Sequence, residues 1–359
     1  MQKVPQLTEN ERNMPKMTRL ALILAASAAL ASPTWAETVE NFYAGKKLTI
    51  WVGYGSGGGY DTTARLLARH YGDHIPGKPN VVVQNVPGAG SLLAANNLYN
   101  LAPKDGSVIG VFSSTVALLP VYGDPKARFE TLKFSWIGNI HRDTMACGVW
   151  KGAGQNIKSL EDMVKAKTPV IFGSDGRDAP LTRWPLFMKN VVGANLKVVP
   201  GYKGTREINV AMQRGEAHAS CGMFESTVRG AYMNDYKAGN LNIFVQTGYK
   251  RNVELFGKAT NLYDLLKTEE DIQMARLVFG PAEMTRPLAG PPGMPPDRLA
   301  ALRKALLDTI KSPAMIADAK KINVDFDPMS GDEITAMLAD LMKTPKSVVE
   351  KASVVTSKE

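Results

Sequence analysis

The residues best suited to bind a ligand lie in one glycine-rich turn, which reads Gly53-Tyr54-Gly55-Ser56-Gly57-Gly58-Gly59-Tyr60-Asp61. An apolar, strand-like run precedes this turn, and a helical pattern follows it. Because glycine has no Cβ atom, backbone N–H groups in such a turn can approach an anion closely, and the following helix adds the partial positive charge of its N-terminus. The turn therefore predicts an anion-binding site.

A dinucleotide site is a second interpretation of the same turn, because its glycines satisfy the pattern G-x-G-x-x-G. Such a site also uses an acidic residue at the end of the second strand to bind the ribose. The second strand-like run ends instead in Gln84-Asn85. The absence of an acid there argues against a nicotinamide cofactor.

Two further turns follow strand-like runs in the same way. Asn85-Val86-Pro87-Gly88-Ala89-Gly90-Ser91 leads directly into a helical pattern, and Gly173–Ala179 carries Arg177, with Arg183 shortly after it. Turns after adjacent parallel strands converge on one crevice, and an arginine there can bind a carboxylate through two hydrogen bonds. Tight connections and exposed loop arginines explain the same residues equally well.

Catalytic motifs are incomplete. Gly72–Lys78 has the spacing of a phosphate-binding loop, but Pro79 replaces the Ser or Thr that would hold magnesium. His70 and His74 lack the glutamate of a zinc-protease motif, and Tyr54 stands where the G-x-S-x-G motif of a hydrolase nucleophile would place a glycine before Ser56. These patterns favour binding over catalysis, with no metal or cofactor required.

The elements that must position these turns alternate between strand-like and helical segments, which predicts an α/β fold with mostly parallel sheets. Ser159 is predicted to cap a helix. After residue 290 the pattern becomes helical: one amphipathic helix covers residues 295–312, and Ser330–Glu333 is a capping box that begins another.

The N-terminal segment has the pattern of a cleavable secretory signal peptide. An apolar run at residues 20–31 follows Lys16 and Arg19 and precedes Thr34-Trp35-Ala36, and it is too short to remain as a membrane anchor. We expect cleavage after Ala36, with Met17 as an alternative start, and export from the cytoplasm. The formal charge of +9 then becomes +7 over 323 residues.

Composition excludes several classes of protein. The 359 residues are 44% hydrophobic and 21% charged, which excludes a disordered or collagen-like chain, and the length predicts two domains. The 43 Lys and Arg residues are scattered among 34 acids without a basic block, so we expect no nucleic-acid binding. Cys147 and Cys221 lie in short strand-like runs, where they are either a disulfide between neighbouring strands or two buried small hydrophobic residues.

Taken in order, several motifs resemble the substrate-binding proteins of tripartite tricarboxylate transporters, the TctC or Bug family. The run through Gly58, Asp61 and Arg65 resembles the family's P-G-G-x-x-D-x-x-A-R opening. Further matches are the turn at residues 85–90, Pro103–Gly106, Gly173–Gly176, Tyr202–Gly204 and residues 289–296. The similarity extends from about residue 45 to residue 345.

The resemblance implies a two-lobed periplasmic receptor that closes over a small carboxylate and delivers it to membrane permease subunits. The implied ligand-binding residues of the first lobe are Tyr54, Ser56, Gly57, Gly58, Asp61, Pro87, Gly88, Ala89 and Ser91. Those of the second lobe are Ser174, Gly176, Arg177, Tyr202, Lys203 and Gly204. Asp61 is better explained as a residue at the helix start that orients the turn.

Two departures from the family pattern concern the ligand. Arg177-Asp178-Ala179-Pro180 replaces a loop rich in Thr and Ser, and Gly222-Met223 replaces an Asp-Asn pair. The second change predicts a more apolar or aromatic carboxylate.

We therefore expect a type II-like periplasmic binding protein, an α/β chain with residues 37–141 and 247–359 in lobe 1 and residues 142–246 in lobe 2. Its expected partners are the carboxylate and the permease, and the receptor is expected to be a monomer. An exported small-ester hydrolase or a ligand sensor that uses the same cleft is the alternative.

Overall fold

The structure is a computed structural model that describes residues 37–152, 156–176, 179–248, 253–322, 324 and 326–358. The predicted signal peptide and Arg177 lie outside the described residues. Among the described helices, none is both long enough and apolar enough to cross a membrane.

The first of two sheets has six strands in the order β12-β4-β11-β3-β1-β2. Its strands are β1 (Lys47–Val52), β2 (Asn80–Asn85), β3 (Val108–Val111), β4 (Ser135–Asn139), β11 (Pro287–Gly290) and β12 (Met329–Ser330). Strands β2, β1 and β3 run parallel, whereas β11 is antiparallel to both β3 and β4. The start of β11 therefore lies at the edge of the sheet where β1 and β3 end.

The second sheet also has six strands, in the order β10-β9-β5-β8-β6-β7. Its strands are β5 (Ala146–Trp150), β6 (Val170–Ser174), β7 (Leu196–Pro200), β8 (Ala219–Cys221), β9 (Leu241–Gln246) and β10 (Thr260–Asn261). Strands β7, β6 and β8 are parallel, and β5 is antiparallel to β8 and β9. Both sheets are thus mixed: most strands of each sheet run in one direction, whereas β11 and β12 of the first sheet and β5 of the second run against it.

Helices cover these sheets. The α-helices are α1 (Val39–Tyr43), α2 (Gly59–His74), α3 (Leu92–Asn100), α4 (Leu160–Val164), α5 (Pro180–Phe187), α6 (Thr205–Gln213), α7 (Glu225–Thr227), α8 (Met233–Ala238), α9 (Glu269–Phe279), α10 (Pro296–Lys311), α11 (Pro313–Lys321), α12 (Gly331–Leu341) and α13 (Lys346–Ser357). Short 3₁₀ segments lie at residues 89–91, 114–118, 131–133, 254–256, 262–265 and 280–283, and π turns at 188–192 and 228–232. This arrangement confirms the predicted α/β class.

Local signals explain where several helices begin. Ser159 and Ser330 each accept a hydrogen bond from the backbone N–H of the third residue of their helix. In turn, the carboxylates of Asp162 and Glu333 accept a bond from the backbone N–H of the serine. Both capping boxes satisfy backbone N–H groups that have no acceptor within the helix. The prediction that a cap opens a helix at each serine is confirmed.

The second sheet carries the cysteine pair. Cys147 on β5 faces Cys221 on β8 in the antiparallel register, and their sulfur atoms are bonded in the structure. Both residues are fully buried. The bond joins two central strands of this sheet.

The predicted lobe boundaries stay a prediction, but the division of the strands between the two sheets is clear. Strands β1 to β4 belong to the first sheet and β5 to β10 to the second, so the second sheet continues past residue 246 to Asn261. The chain then returns to the first sheet with β11. Helix α13 packs on α5, where Asn190 donates hydrogen bonds to the carbonyl oxygens of Val355 and Lys358.

Candidate functional site

A cavity with a volume of about 620 Å³ lies between the strand ends of the two sheets. Residues after β1, after β3 and before β11 form one side of it. Residues after β6, after β7 and after β8, together with helices α5 and α6, form the other. A cleft at the carboxyl ends of parallel strands is the usual ligand site of open α/β sheets.

The first glycine turn forms part of the cavity wall. Tyr54, Ser56 and Gly58 line it, at the start of the 16-residue helix α2. The first N–H groups of a helix have no intrahelical acceptor, so they attract an anion. This part of the wall therefore has the donors that the sequence predicts.

Asp61 lies behind this turn and organises it. Its carboxylate is almost fully buried and accepts hydrogen bonds from Gly57 N at 2.9 Å, from Asn85 Nδ2 at 2.9 Å and from Arg65 Nε. Burial acts to raise the pKa of Asp61, but the bonds from Arg65, Gly57 and Asn85 outweigh it and lower the pKa. Asp61 does not line the cavity, in keeping with a role at the helix start.

The second glycine turn supports the first from the side. Ser91 is buried, and its Oγ accepts a hydrogen bond from Ser113 N at 3.0 Å. Gly88, Ala89, Gly90 and Ser91 all have positive φ angles, a conformation that Ala and Ser rarely adopt. None of the residues 87–91 lines the large cavity. Ala89 and Gly90 instead line a cavity of about 30 Å³ beside α5.

On the side of the second sheet, Lys203 and Gly204 line the cavity. Ser174 is buried and forms hydrogen bonds with Thr182 and the carbonyl of Gly176. Tyr202 packs against Gly173. Thus, among the predicted residues that the structure describes, Tyr54, Ser56, Gly58, Lys203 and Gly204 line the cavity. The role of all the predicted residues in binding stays a prediction.

The structure adds cavity residues that the sequence analysis did not select. Pro180, Leu181, Trp184 and Phe224 form an apolar wall, in which the Trp184 and Phe224 rings meet edge to face at 6.4 Å. Three arginines also line the cavity: Arg206, Arg214 and Arg286. If glycine 57 had a Cβ atom, it would lie 2.9 Å from Arg206 Nη1, so this α6 side chain reaches the first glycine turn.

Two tyrosines and one acid form a half-buried polar group in the cavity wall. The rings of Tyr54 and Tyr60 are 4.6 Å apart, and burial raises the pKa of Tyr60 to about 12. Asp175 follows β6, and its negative charge acts to raise the pKa of both tyrosines. Its Oδ1 atom has no hydrogen-bond partner among the described residues. Burial raises the pKa of Asp175 from 3.8 to about 6.

The fold and the cleft define a two-lobed α/β binding protein. The structure of the periplasmic binding protein BugD aligns with a TM-score of 0.66 at 18% identity, over 87% of this chain and 99% of BugD. A model of the tripartite tricarboxylate transporter family receptor, TctC, matches residues 63–354. The chain therefore belongs to the TctC family.

Further relatives also match over most of their length. A UPF0065 protein from the gbd 5' region of Cupriavidus necator is 25% identical over 92% of this chain and 94% of its own length. MatC from Rhodopseudomonas palustris, solved with bound malate, has a TM-score of 0.64 at 16% identity, over 86% of this chain and 99% of MatC. A second protein of that organism, solved with adipate, has a TM-score of 0.66 at 17% identity, over 86% of this chain and 97% of its own.

Proposed function

We propose that this protein is a periplasmic solute-binding receptor that captures a small carboxylate by closure of its lobes and delivers it to the permease of a tripartite tricarboxylate transporter. The observation that carries the proposal is the 620 Å³ cavity. The N-terminus of helix α2 lines it on the side of the first sheet, and cationic side chains line it on the side of the second sheet. Membership of the TctC receptor family supports it.

Closure follows from contacts that a ligand makes on both sides of the cleft. Arg206 of α6 lies close to the first glycine turn, so a carboxylate bound at that turn contacts both sides of the cleft. A ligand that makes more contacts in the closed form shifts the population toward it. The closed form then presents one defined surface to the permease.

The apolar wall narrows the class of ligand. Leu181, Trp184 and Phe224 are each at least nine-tenths buried and line the cavity beside polar groups. A ligand with a hydrocarbon or aromatic body buries apolar surface there, at about 25 cal/mol per Å². A ligand that carries polar groups along its whole length would bring unpaired groups to this wall. We therefore favour carboxylates such as adipate or an aromatic acid over citrate.

A thermal-shift screen tests the proposal. Mono-, di- and tricarboxylates would be compared with their uncharged amides, because an amide keeps the shape of the acid and removes its charge. A bound acid at 100 times its Kd should add about 2.7 kcal/mol to the free energy of unfolding. We expect the apolar acids to raise the melting temperature most. If no carboxylate raises it, the receptor proposal fails, and if citrate is preferred, the proposed ligand class fails.

Lobe closure and delivery have separate tests. Small-angle scattering should show a smaller radius of gyration when the best ligand of the screen is present. Uptake by cells that carry the permease should require this receptor.

A further inference from the structure

Arg286 is a buried cation in the cavity wall without a carboxylate partner. Arg286 immediately precedes β11 and is 7% exposed. Its Nε has no hydrogen-bond partner, and among the described residues no carboxylate oxygen lies within 4.0 Å of its guanidinium. An uncompensated buried charge is costly, and so the site favours an incoming anion.

The contacts that Arg286 does make hold it in place without neutralising it. Nη1 donates a hydrogen bond to Ser226 Oγ at 3.3 Å, and the guanidinium carbon lies 5.9 Å from the centre of the Tyr60 ring. Ser226 Oγ in turn donates to Asp143, a buried carboxylate that also accepts bonds from the backbone N–H groups of Thr144 and Glu225. Asp143 is thus connected to Arg286 only through a hydroxyl group.

The guanidinium lies beside the N-terminus of helix α2. A Cβ atom on Gly59, the first residue of α2, would be 3.0 Å from Nη2 of Arg286, so the absence of a side chain at Gly59 leaves room for the guanidinium. The charge of Arg286 and the positive end of the helix dipole therefore act on the same part of the cavity. The carboxylate nearest in the helix, Asp61, is already bonded to Arg65, Gly57 and Asn85.

We propose that Arg286 is a ligand-binding residue whose guanidinium, together with the N-terminus of helix α2, binds a carboxylate group of the ligand. This inference rests on the proposed receptor function and goes beyond it, because it adds a fixed charge to the neutral donors of the glycine turn. A guanidinium can bind a carboxylate through two parallel hydrogen bonds. Ser226 is then a positioning residue that reaches this arginine from helix α7, which follows a strand of the second sheet.

The experiment compares Arg286→Gln and Arg286→Lys with Arg128→Gln, which makes the same change of charge at an exposed arginine outside the cavity. Adipate, malate and phenylacetate are the probes, each with its amide, and calorimetry gives the Kd values. We expect Arg286→Gln to weaken binding of the best acid by tenfold or more and to reduce its preference over the amide. The Kd of Arg286→Lys should fall between those of the wild type and Arg286→Gln. The Kd of Arg128→Gln should stay within threefold of the wild-type value.

Ligand-free melting temperatures separate binding from structure. Because Arg286 has no buried carboxylate partner to lose, and only a long hydrogen bond to Ser226, Arg286→Gln should melt at the same temperature as the wild type or higher. A melting temperature that falls while acid binding stays intact would assign Arg286 a structural role and overturn the inference. Unchanged acid binding in Arg286→Gln would also overturn it while leaving the receptor function standing. If the wild type binds none of the acids, the receptor function fails and the inference fails with it.

Discussion

Asp175 illustrates, at the scale of one residue, a group held in the binding cavity at the expense of stability. Its pKa is raised from 3.8 to about 6 by burial, so the folded protein holds this proton more tightly than the unfolded chain does. Ionised Asp175 therefore lowers the free energy of unfolding. This loss of stability is fully present above pH 6, decreases as the pH falls from about 6 to about 4, and is absent below that range. From the two pKa values, its size is about 3 kcal/mol.

We therefore expect Asp175→Asn to raise the free energy of unfolding at pH 8 by as much as about 3 kcal/mol and to change it little at pH 4. Urea denaturation at both pH values measures this difference. The exposed Asp73 provides a matched control, since Asp73→Asn should stay within about 0.5 kcal/mol of the wild type at either pH. A gain of equal size at pH 4 and pH 8 would show that ionisation of Asp175 is not its cause.

We expect the same carboxyl group to affect ligand binding. Ionised Asp175 repels a carboxylate in the cavity, whereas the protonated group can donate a hydrogen bond to it. We expect the affinity for the best acid of the screen to fall as the pH rises through about 6. Titration calorimetry from pH 5 to pH 8 should show this fall in the wild type and a flatter profile in Asp175→Asn. An equal fall in affinity in the wild type and in Asp175→Asn would show that ionisation of Asp175 is not the cause of the pH dependence.

At the scale of the elements, the two glycine turns of the first sheet form one packed unit. A Cβ atom on Gly53 would lie 1.9 Å from Ser91 Oγ, the atom that accepts the hydrogen bond from Ser113. Gly53→Ala should therefore push the second turn away from the first and lower the free energy of unfolding by about 1–3 kcal/mol. Gly55 is the control, because no atom lies within 4 Å of its Cβ position and its φ is not positive.

Chemical denaturation checks this prediction, with Gly55→Ala expected within about 1 kcal/mol of the wild type. Equal losses for Gly53→Ala and Gly55→Ala would mean that the alanine backbone preference, and not contact with Ser91, causes the effect.

Sequence patterns were sufficient for elements whose signals are local. The turn after β1, the helix cap at Ser330 and the amphipathic helix α10 are each determined by neighbouring residues, and the structure has all three. Arg286 could not be found in this way. It reaches the cavity because β11 pairs antiparallel with β3, a strand far away in sequence. The only available signal was an arginine directly before an apolar run, which is common on protein surfaces.

At the scale of the whole molecule, the bond between Cys147 and Cys221 crosses the centre of the second sheet. We expect protein prepared from the periplasm to contain no free thiol when it is unfolded without a reductant and treated with an alkylating reagent. Closure of a 74-residue separation restricts the unfolded chain, so reduction should lower the free energy of unfolding by about 2–4 kcal/mol. Mass spectrometry and denaturation with and without a reductant measure these two outcomes. Two alkylated cysteines in the unreduced sample would show that the bridge does not form.

If the proposed closure occurs, the placement of the first and last described helices makes the molecule suitable as an optical sensor. Helix α1 packs with the first sheet, where the Tyr43 hydroxyl donates to the carbonyl of Gly106, while α13 packs on α5 beside the second sheet. Dyes attached at Ala44 and Val354, both exposed, would therefore travel with different sheets. If both native cysteines are bonded, dye chemistry at two introduced thiols leaves them untouched. Energy transfer between the dyes would then report the concentration of a dissolved acid in real time.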